Sequence, residues 1–340
     1  MTAPSPAQSP SQPPTPAPDR PTAPAGALGR PLLSLLAAAV CAVAVVGLAR
    51  FFVGTASGQR LDQLILSGAE AHDGSLSRWA EIAVETVSVP VVAALLVLAT
   101  VLVLLRRRPG LLLPLGTLVL GANLTTQVVK HLVITREALG PGIDITPNSF
   151  PSGHTTLAAT AMIALVLAAG RARLVLAPLG ALWTTAAGIG TLVVGWHRPS
   201  DVIGAIAVVA AWTFLILALD GLGTRRRRRR ASARPERGRR RRVPGDGASD
   251  PAHLDPPRPS GVETATALLL GLTGLAGLAY GAFGLFSLEL PLDLHDPVQQ
   301  LPAFAATAAL IAGGTAAWMS LTLLLRTPTS HRTRPAERVP

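Results

Sequence analysis

Several windows of 17 to 25 residues in this chain carry no charge and consist of Leu, Val, Ala, Ile and Gly. Each is long enough to cross a hydrocarbon core of about 30 Å. The chain is therefore read as an integral membrane protein, all-α and polytopic, with eight spans near 31–53, 82–105, 111–134, 154–171, 174–196, 202–219, 262–287 and 301–325. Roughly 190 of the 340 residues fall in the membrane on this reading, which leaves tails and loops but no second globular domain. A mean hydropathy of +0.44 alongside 32 Gly and 30 Pro fits lipid-buried helices joined to unstructured tails.

Residues 1–30 are dominated by Pro, Ala, Ser and Thr, too apolar-poor to offset the entropy of ordering, and are expected to form a disordered cytoplasmic tail. That tail lacks the charged start, short apolar stretch and small-residue cleavage site of a secretory leader, so the first apolar run is expected to be retained. The single cysteine, Cys41, lies within that run and is read as packing.

The net charge of +11 is local: residues 225–242 hold twelve Arg and one Glu, and the remainder of the chain sums to zero. An Arg-rich disordered loop is expected over 221–260, fixing orientation and lying on anionic lipid. No nucleic-acid partner is expected, since neither aromatic interleaving nor a folded nucleic-acid motif accompanies the arginines. Arg106, Arg107, Arg108, Arg171, Arg173 and this run all fall on one side of the spans, which is read as cytoplasmic together with both termini. The protein is thus placed as a multi-pass protein of the cell membrane. The other face receives the loops near 54–81, 135–153, 197–201 and 288–300.

Three polar clusters collect at span ends on that outer face: Lys130 to Arg136, Pro151 to His154 and His197 to Asp201. Ionisable groups converging at membrane helix ends point to a functional site. Lys130 is the only lysine among 30 basic residues. One lysine codon kept by chance is the plain alternative. Pro151-Ser152-Gly153-His154 opens a span, so backbone N–H groups and the helix dipole make an anion site, with Ser152 as a hydroxyl donor, Gly153 allowing close approach and His154 able to move a proton. Equally, Ser152 is suited to a simple helix cap. Asp201 follows His197 by four residues, a spacing that lets the carboxylate hold one imidazole nitrogen and free the other as nucleophile or base. Otherwise Asp201 complements the dipole of the helix that Pro199 begins.

Lys130 with Arg136, Pro151-Ser152-Gly153-His154, and His197 with Asp201 together resemble the type 2 phosphatidic acid phosphatases and related lipid phosphate phosphatases, which share a site with vanadium haloperoxidases. The resemblance covers about residues 54–215. It implies a six-helix phosphatase-like core over 31–220, followed by the Arg-rich loop, a two-helix transmembrane appendage at 261–326 and a polar tail at 327–340. It further implies that His197 attacks phosphorus to form a phosphohistidine, that Asp201 orients it and that His154 protonates the leaving group. Lys130, Arg136, Ser152 and Gly153 would hold the phosphoryl oxygens. No cofactor and no metal ion are expected, and the implied substrate is a phosphomonoester or diphosphate, a phosphorylated membrane lipid by preference.

Two departures from the family pattern stand in the sequence. Lys130 and Arg136 are six residues apart rather than seven, about 120° apart on an ideal helix, and Glu137 follows where Pro is the rule. The Ser-Arg pair expected six to seven residues before His197 falls on Gly190 and Thr191, so no arginine stands there, and Arg198 is the candidate to compensate. A protein that binds or transfers phosphorylated lipid without efficient hydrolysis is one alternative. A transporter or membrane scaffold is another. The seventh span carries Gly271, Gly274, Gly277 and Gly281, a pattern expected of close helix packing. The oligomeric state is not legible.

Overall fold

The computed structural model describes residues 29–71, 75–143, 148–232 and 261–326, with the main chain alone at Ser75 and 227–232. The expected tail up to residue 28, the part of the Arg-rich loop at 233–260 and the polar tail at 327–340 lie outside the described residues. Every described element is helical, the form that satisfies all backbone polar groups within a membrane segment. The helices are α1 (Gly29–Leu48), α2 (Ala56–Glu70), α3 (Ser75–Glu85), α4 (Val89–Leu105), α5 (Leu112–Val128), α6 (Gly153–Ala168), α7 (Arg173–Val193), α8 (Pro199–Ser232), α9 (Gly261–Phe286) and α10 (Pro297–Leu325). Single π-helical turns, Ala49–Val53 and Val129–Val133, extend α1 and α5. Among the described residues six helices are long and apolar enough to cross a membrane, against the eight spans expected, and α3 with α4, bent by 54° at their break, has the length and composition of a seventh. The chain is a membrane protein.

The helix of the remaining expected span, α6, has only 16 residues, about 24 Å of rise and short of a hydrocarbon core. Its surroundings account for that. Thirteen of the 16 residues are buried, so α6 is apolar all round and is enclosed by α4, α5, α7 and α8 rather than by lipid. Thr126 and Thr156 share a hydrogen bond of 3.0 Å, and Asn123 donates to Thr160 at 3.3 Å, tying α5 to α6 with polar contacts inside the bundle. By contrast α1 is almost wholly exposed, as a helix against lipid is.

Within the outer loop expected at 54–81 lie α2 and the first turns of α3, so the helical chain leading into the second expected span begins before residue 82. Thr55 caps α2 by accepting from the Gly58 N–H at 3.0 Å, and Leu64, Ile65 and Ala69 then bury one face. The bend between α3 and α4 falls at Ser88, whose backbone is extended at φ −85 and ψ 153, and Pro90 then sits in the first turn of α4, where a proline is tolerated. Trp183 of α7 donates to Thr86 at 2.8 Å and fixes the bend in place. At the other end of the core, α8 continues twelve residues past the expected boundary at 220 to Ser232, through Arg225 to Arg230. Arginine is a good helix former and is favoured near a helix C-terminus, so the start of the expected disordered loop extends the helix.

Of the last two helices, expected as a two-helix appendage, α10 packs against the core. In α10, Pro297–Leu325 packs against α2, α7 and α8 as well as α9, and Thr315 shares a hydrogen bond of 2.6 Å with Thr185 of α7. The expectation of close packing holds: a Cβ at Gly277 would lie 2.9 Å from the Ala309 carbonyl oxygen and the Gly313 Cα, and one at Gly274 would lie 2.7 Å from the Ala317 nitrogen. One end of the bundle gathers arginines: Arg106 donates to the Ala168 carbonyl, Arg173 makes a forked pair with Glu263 at 2.7–2.9 Å, and Arg30 donates to the Arg326 carbonyl. Lys130, His154 and His197 lie at the opposite helix ends.

Gly277→Ala is expected to lower the denaturation temperature, since overpacking costs about 1–3 kcal/mol. Gly314→Ala, where a Cβ meets nothing within 4 Å, serves as the control and is expected to be neutral or stabilising. Equal effects of the two substitutions in a thermal denaturation series would contradict the packing account.

Candidate functional site

The site is built where the starts of α6 and α8 meet the loop leaving α7. Val194 to Arg198 form a tight turn with Gly195 at φ +71, a backbone conformation that glycine adopts without strain. Both Trp196 and His197 donate their backbone N–H to the Thr191 carbonyl, at 3.0 and 3.1 Å, so the end of α7 fixes where His197 emerges. Thr191 itself is fully buried and its hydroxyl donates to the Gly188 carbonyl at 2.8 Å. It serves its own helix, and its side chain is committed away from ligand chemistry.

Asp201 is the knot of the site. Its Oδ2 accepts from the Ser149 hydroxyl and from the Arg198 N–H at 2.9 Å, and its carbonyl accepts from the Ser152 N–H at 2.9 Å. His197 Nδ1 lies 3.6 Å from the same Oδ2, within ion-pair reach but without a hydrogen bond, and remains unpartnered. His154 stands opposite, with ring centroids 6.1 Å from His197 and 5.3 Å from Trp196. The two imidazoles thus lie beside one another, edge to face. Lys130, half-buried on the π-turn that ends α5, lies within electrostatic range of His154.

Ser152 is the N-cap of α6: its Oγ accepts from the Thr155 N–H at 3.3 Å and the Thr155 hydroxyl at 3.0 Å. The capping alternative is therefore realised, and its hydroxyl proton remains available to donate. Among the described residues the N–H groups of Gly153 and His154 have no partner, and a Cβ built on Gly153 meets nothing within 4 Å. Open space in front of unclaimed N–H groups at the positive end of a helix is an anion-receptive arrangement.

The spacing of Lys130 and Arg136 loses its force because the helix stops between them. After Val133 the chain turns extended at Ile134, φ −115 and ψ 122, and Asn148 closes the end by donating to the Lys130 and Ile134 carbonyls at 2.9 and 2.8 Å. Arg136 then folds back into the bundle with its side chain 4% exposed. It donates to Asp62 at 3.0 Å and to the Phe52 carbonyl at 3.3 Å, and its other terminal nitrogen lies 3.7 Å from Asp201 Oδ1. Arg136, expected as a phosphate holder, stands here between two buried carboxylates.

Arg198, expected as the compensating cation, is 3% exposed and so does not reach outward to headgroups. It lines a cavity of about 70 Å³ together with His197, Gln63, Leu66, Glu70, Gly195 and Trp196. A wider cleft of about 460 Å³ adjoins it, sharing Glu70, Gly195 and Trp196 and adding Ser77, Glu81, Val193 and Val194. Among the described residues no group of three or more His, Cys, Asp or Glu side chains is placed to hold a metal ion.

Sequence reasoning missed Asp62, Gln59, Gln63, Ser149 and Ser200. All five lie in segments read as outer-face loops, and the available signal was Gln59, Asp62 and Gln63 at helical spacing after a Thr cap. Compared with known proteins, residues 87–225 match the family model described as the PAP2 superfamily. No curated protein and no solved structure matches the chain.

Asp62 is pushed up to about 6, first by burial and then by the negative charge of Asp201, while Arg136 and Ser200 pull it back. The folded chain therefore holds this proton to higher pH than the unfolded chain, whose carboxyl has an ordinary value. Stability from this group is present below the ordinary value and is lost as pH rises from about 4 through about 6. Denaturation temperatures across that window are expected to fall more steeply for the wild type than for Asp62→Asn. Parallel curves would contradict the assignment.

Proposed function

We propose, from the premise that the chain belongs through residues 87–225 to the PAP2 superfamily, that it is a membrane phosphatase. Its reaction is hydrolysis of a phosphomonoester or diphosphate, a phosphorylated lipid by preference, on the extracytoplasmic face. The observation that carries this is the opposition of His154 and His197, 6.1 Å between rings, with Asp201 beside His197 Nδ1.

With Nδ1–H directed at Asp201, the lone pair of His197 Nε2 is free to attack phosphorus. The N–P bond forms as the P–O bond to the leaving group breaks, and His154 delivers a proton to the departing oxygen. Water then attacks the phosphohistidine, His154 takes the water proton, and His197 leaves with phosphate released. The equatorial oxygens carry the developing charge, and preorganised donors there supply much of the acceleration. Those donors are the N–H groups of Gly153 and His154, the Ser152 hydroxyl, Lys130 and Arg198. Arg136 acts behind them, holding Asp201 and Asp62 in place.

A lipid substrate is supported by the position of the site at helix ends, where headgroup phosphates are concentrated and oriented. The polar cleft beside His197 offers room for the rest of a headgroup. On the opposite face, Arg225 and Arg226 of α8 fit anionic lipid headgroups, which supports reading that face, with both termini, as cytoplasmic.

The test is phosphate release by purified protein in detergent from a panel of lipid phosphates and diphosphates. His197→Ala is expected to abolish release, His154→Ala to lower kcat by about 10²–10⁴-fold and Arg198→Ala by about 10²–10³-fold. In sealed vesicles of native orientation an impermeant substrate supplied outside is expected to be hydrolysed. Equal release by all variants would contradict the catalytic reading and favour a binding protein, a transporter or a scaffold.

A further inference from the structure

Helix α2 lies before the matched segment 87–225, and Gln59, Asp62 and Gln63, the latter two at helical spacings of three and four from Gln59, are buried alongside its apolar Leu64, Ile65 and Ala69. A helix lying over a bundle ordinarily turns its polar residues outward. Here these three turn inward, and each meets the site. Gln59 donates to the Val53 and Glu137 carbonyls at 2.9 and 2.7 Å and accepts from the Leu139 N–H at 3.0 Å, so it clamps the extended segment that carries Arg136. Asp62 Oδ1 accepts from the Ser200 N–H at 3.0 Å, while Oδ2 accepts from the Ser200 hydroxyl at 2.6 Å and from Arg136 at 3.0 Å. Gln63 lines the small cavity beside His197, and its Oε1 has no partner.

We propose that Asp62 is a positioning residue for the reaction put forward above, acting through Arg136 and Ser200 on the His197–Asp201 pair. Ser200 and Asp201 share the first turn of α8, so the two bonds from Asp62 to Ser200 set where Asp201 stands. The charge of Asp62 matters as well as its shape. Arg136 lies between two carboxylates, bonded to Asp62 and 3.7 Å from Asp201 Oδ1. With Asp62 neutralised, the guanidinium has a single anionic partner and draws Asp201 toward itself, away from His197 Nδ1. Asp62 thereby keeps Asp201 available to the histidine. The helix that carries it is braced from outside the matched segment: Arg60 donates to the Leu292 carbonyl at 2.8 Å, and a Cβ on Gly68 would lie 2.3 Å from the Gln300 carbonyl oxygen. Loops α9–α10 and helix α10 thus reach the site through α2.

The kinetic half of the proposal rests on the phosphatase reading, and the positional half does not, so the experiment has two arms on the full chain. In the first, Asp62→Asn keeps an acceptor for Ser200 and removes the charge. It is expected to lower kcat by about 100-fold with KM nearly unchanged, and with a denaturation temperature at pH 7 no lower than that of the wild type. A residue that served folding alone would move stability, and a fall in denaturation temperature alongside kcat would overturn the proposal. In the second arm, His197→Cys is combined with Cys41→Ala, which removes the only native cysteine, and the rate of alkylation by iodoacetamide is measured with and without Asp62→Asn. The rate is expected to rise several-fold as the loop loses its register. An unchanged rate overturns the proposal whatever the kinetics. If the wild type releases phosphate from no substrate, the phosphatase reading falls alone, and the alkylation rate still decides the role of Asp62.

Discussion

Arg136 enters the protein interior past the end of a helix and finds two carboxylates there, Asp62 on α2 and Asp201 on α8, neither of them exposed. Three charges taken out of water are tolerable only if each is held by the others and by further hydrogen bonds, because an uncompensated buried charge costs several kcal/mol. Ser200, Ser149, the Arg198 N–H and the Phe52 carbonyl supply those bonds. The arrangement in turn dictates where five separate segments lie: the ends of α1 and α5, helix α2, the loop before α6 and the start of α8. The imidazoles of His154 and His197 face one another because these segments cannot move independently.

Unsatisfied atoms mark the part of this network that is turned toward chemistry. Gln63 Oε1, Arg136 Nη1, His197 Nδ1 and Asp201 Oδ1 are buried without hydrogen-bond partners, four such atoms around one turn. Buried polar groups in folded proteins are nearly always paired, and clusters of exceptions belong to sites where strain or reactivity serves function. His197 within 3.6 Å of Asp201, close enough to be oriented and not yet bonded, is consistent with a pair that tightens when an anion arrives.

Much of this was legible from residue order. Long uncharged windows give the helical membrane bundle, and the arginines at span ends give two unlike faces. Pro151 to His154 and His197 to Asp201 were identified from motif and spacing, and the structure brings them together. What the sequence concealed has physical causes. Asp62 is buried on a helix that leaves the polar Ser57 and Glu70 exposed, so amphipathic reasoning groups it with the exposed residues. Arg136 owes its place to a helix that stops at Val133, and a helical wheel cannot show that. The role of α10 depends on packing against α2 and α7, contacts between residues more than 100 positions apart that periodicity does not encode. Thr191 stands where an arginine is expected, and the buried Arg198 that lines the cavity with His197 is a neighbouring cation that only the fold reveals as buried.

The central claim is that His197 forms a covalent bond to phosphorus. It is tested most directly by quenching turnover under alkaline conditions, in which a phosphohistidine survives, and locating the phosphoryl group by mass spectrometry of the proteolysed protein. The account predicts phosphate on the peptide bearing His197, absent from His197→Ala and accumulated in wild type when substrate is saturating. Turnover with no phosphorylated peptide, or with the phosphoryl group on any other residue, would contradict it.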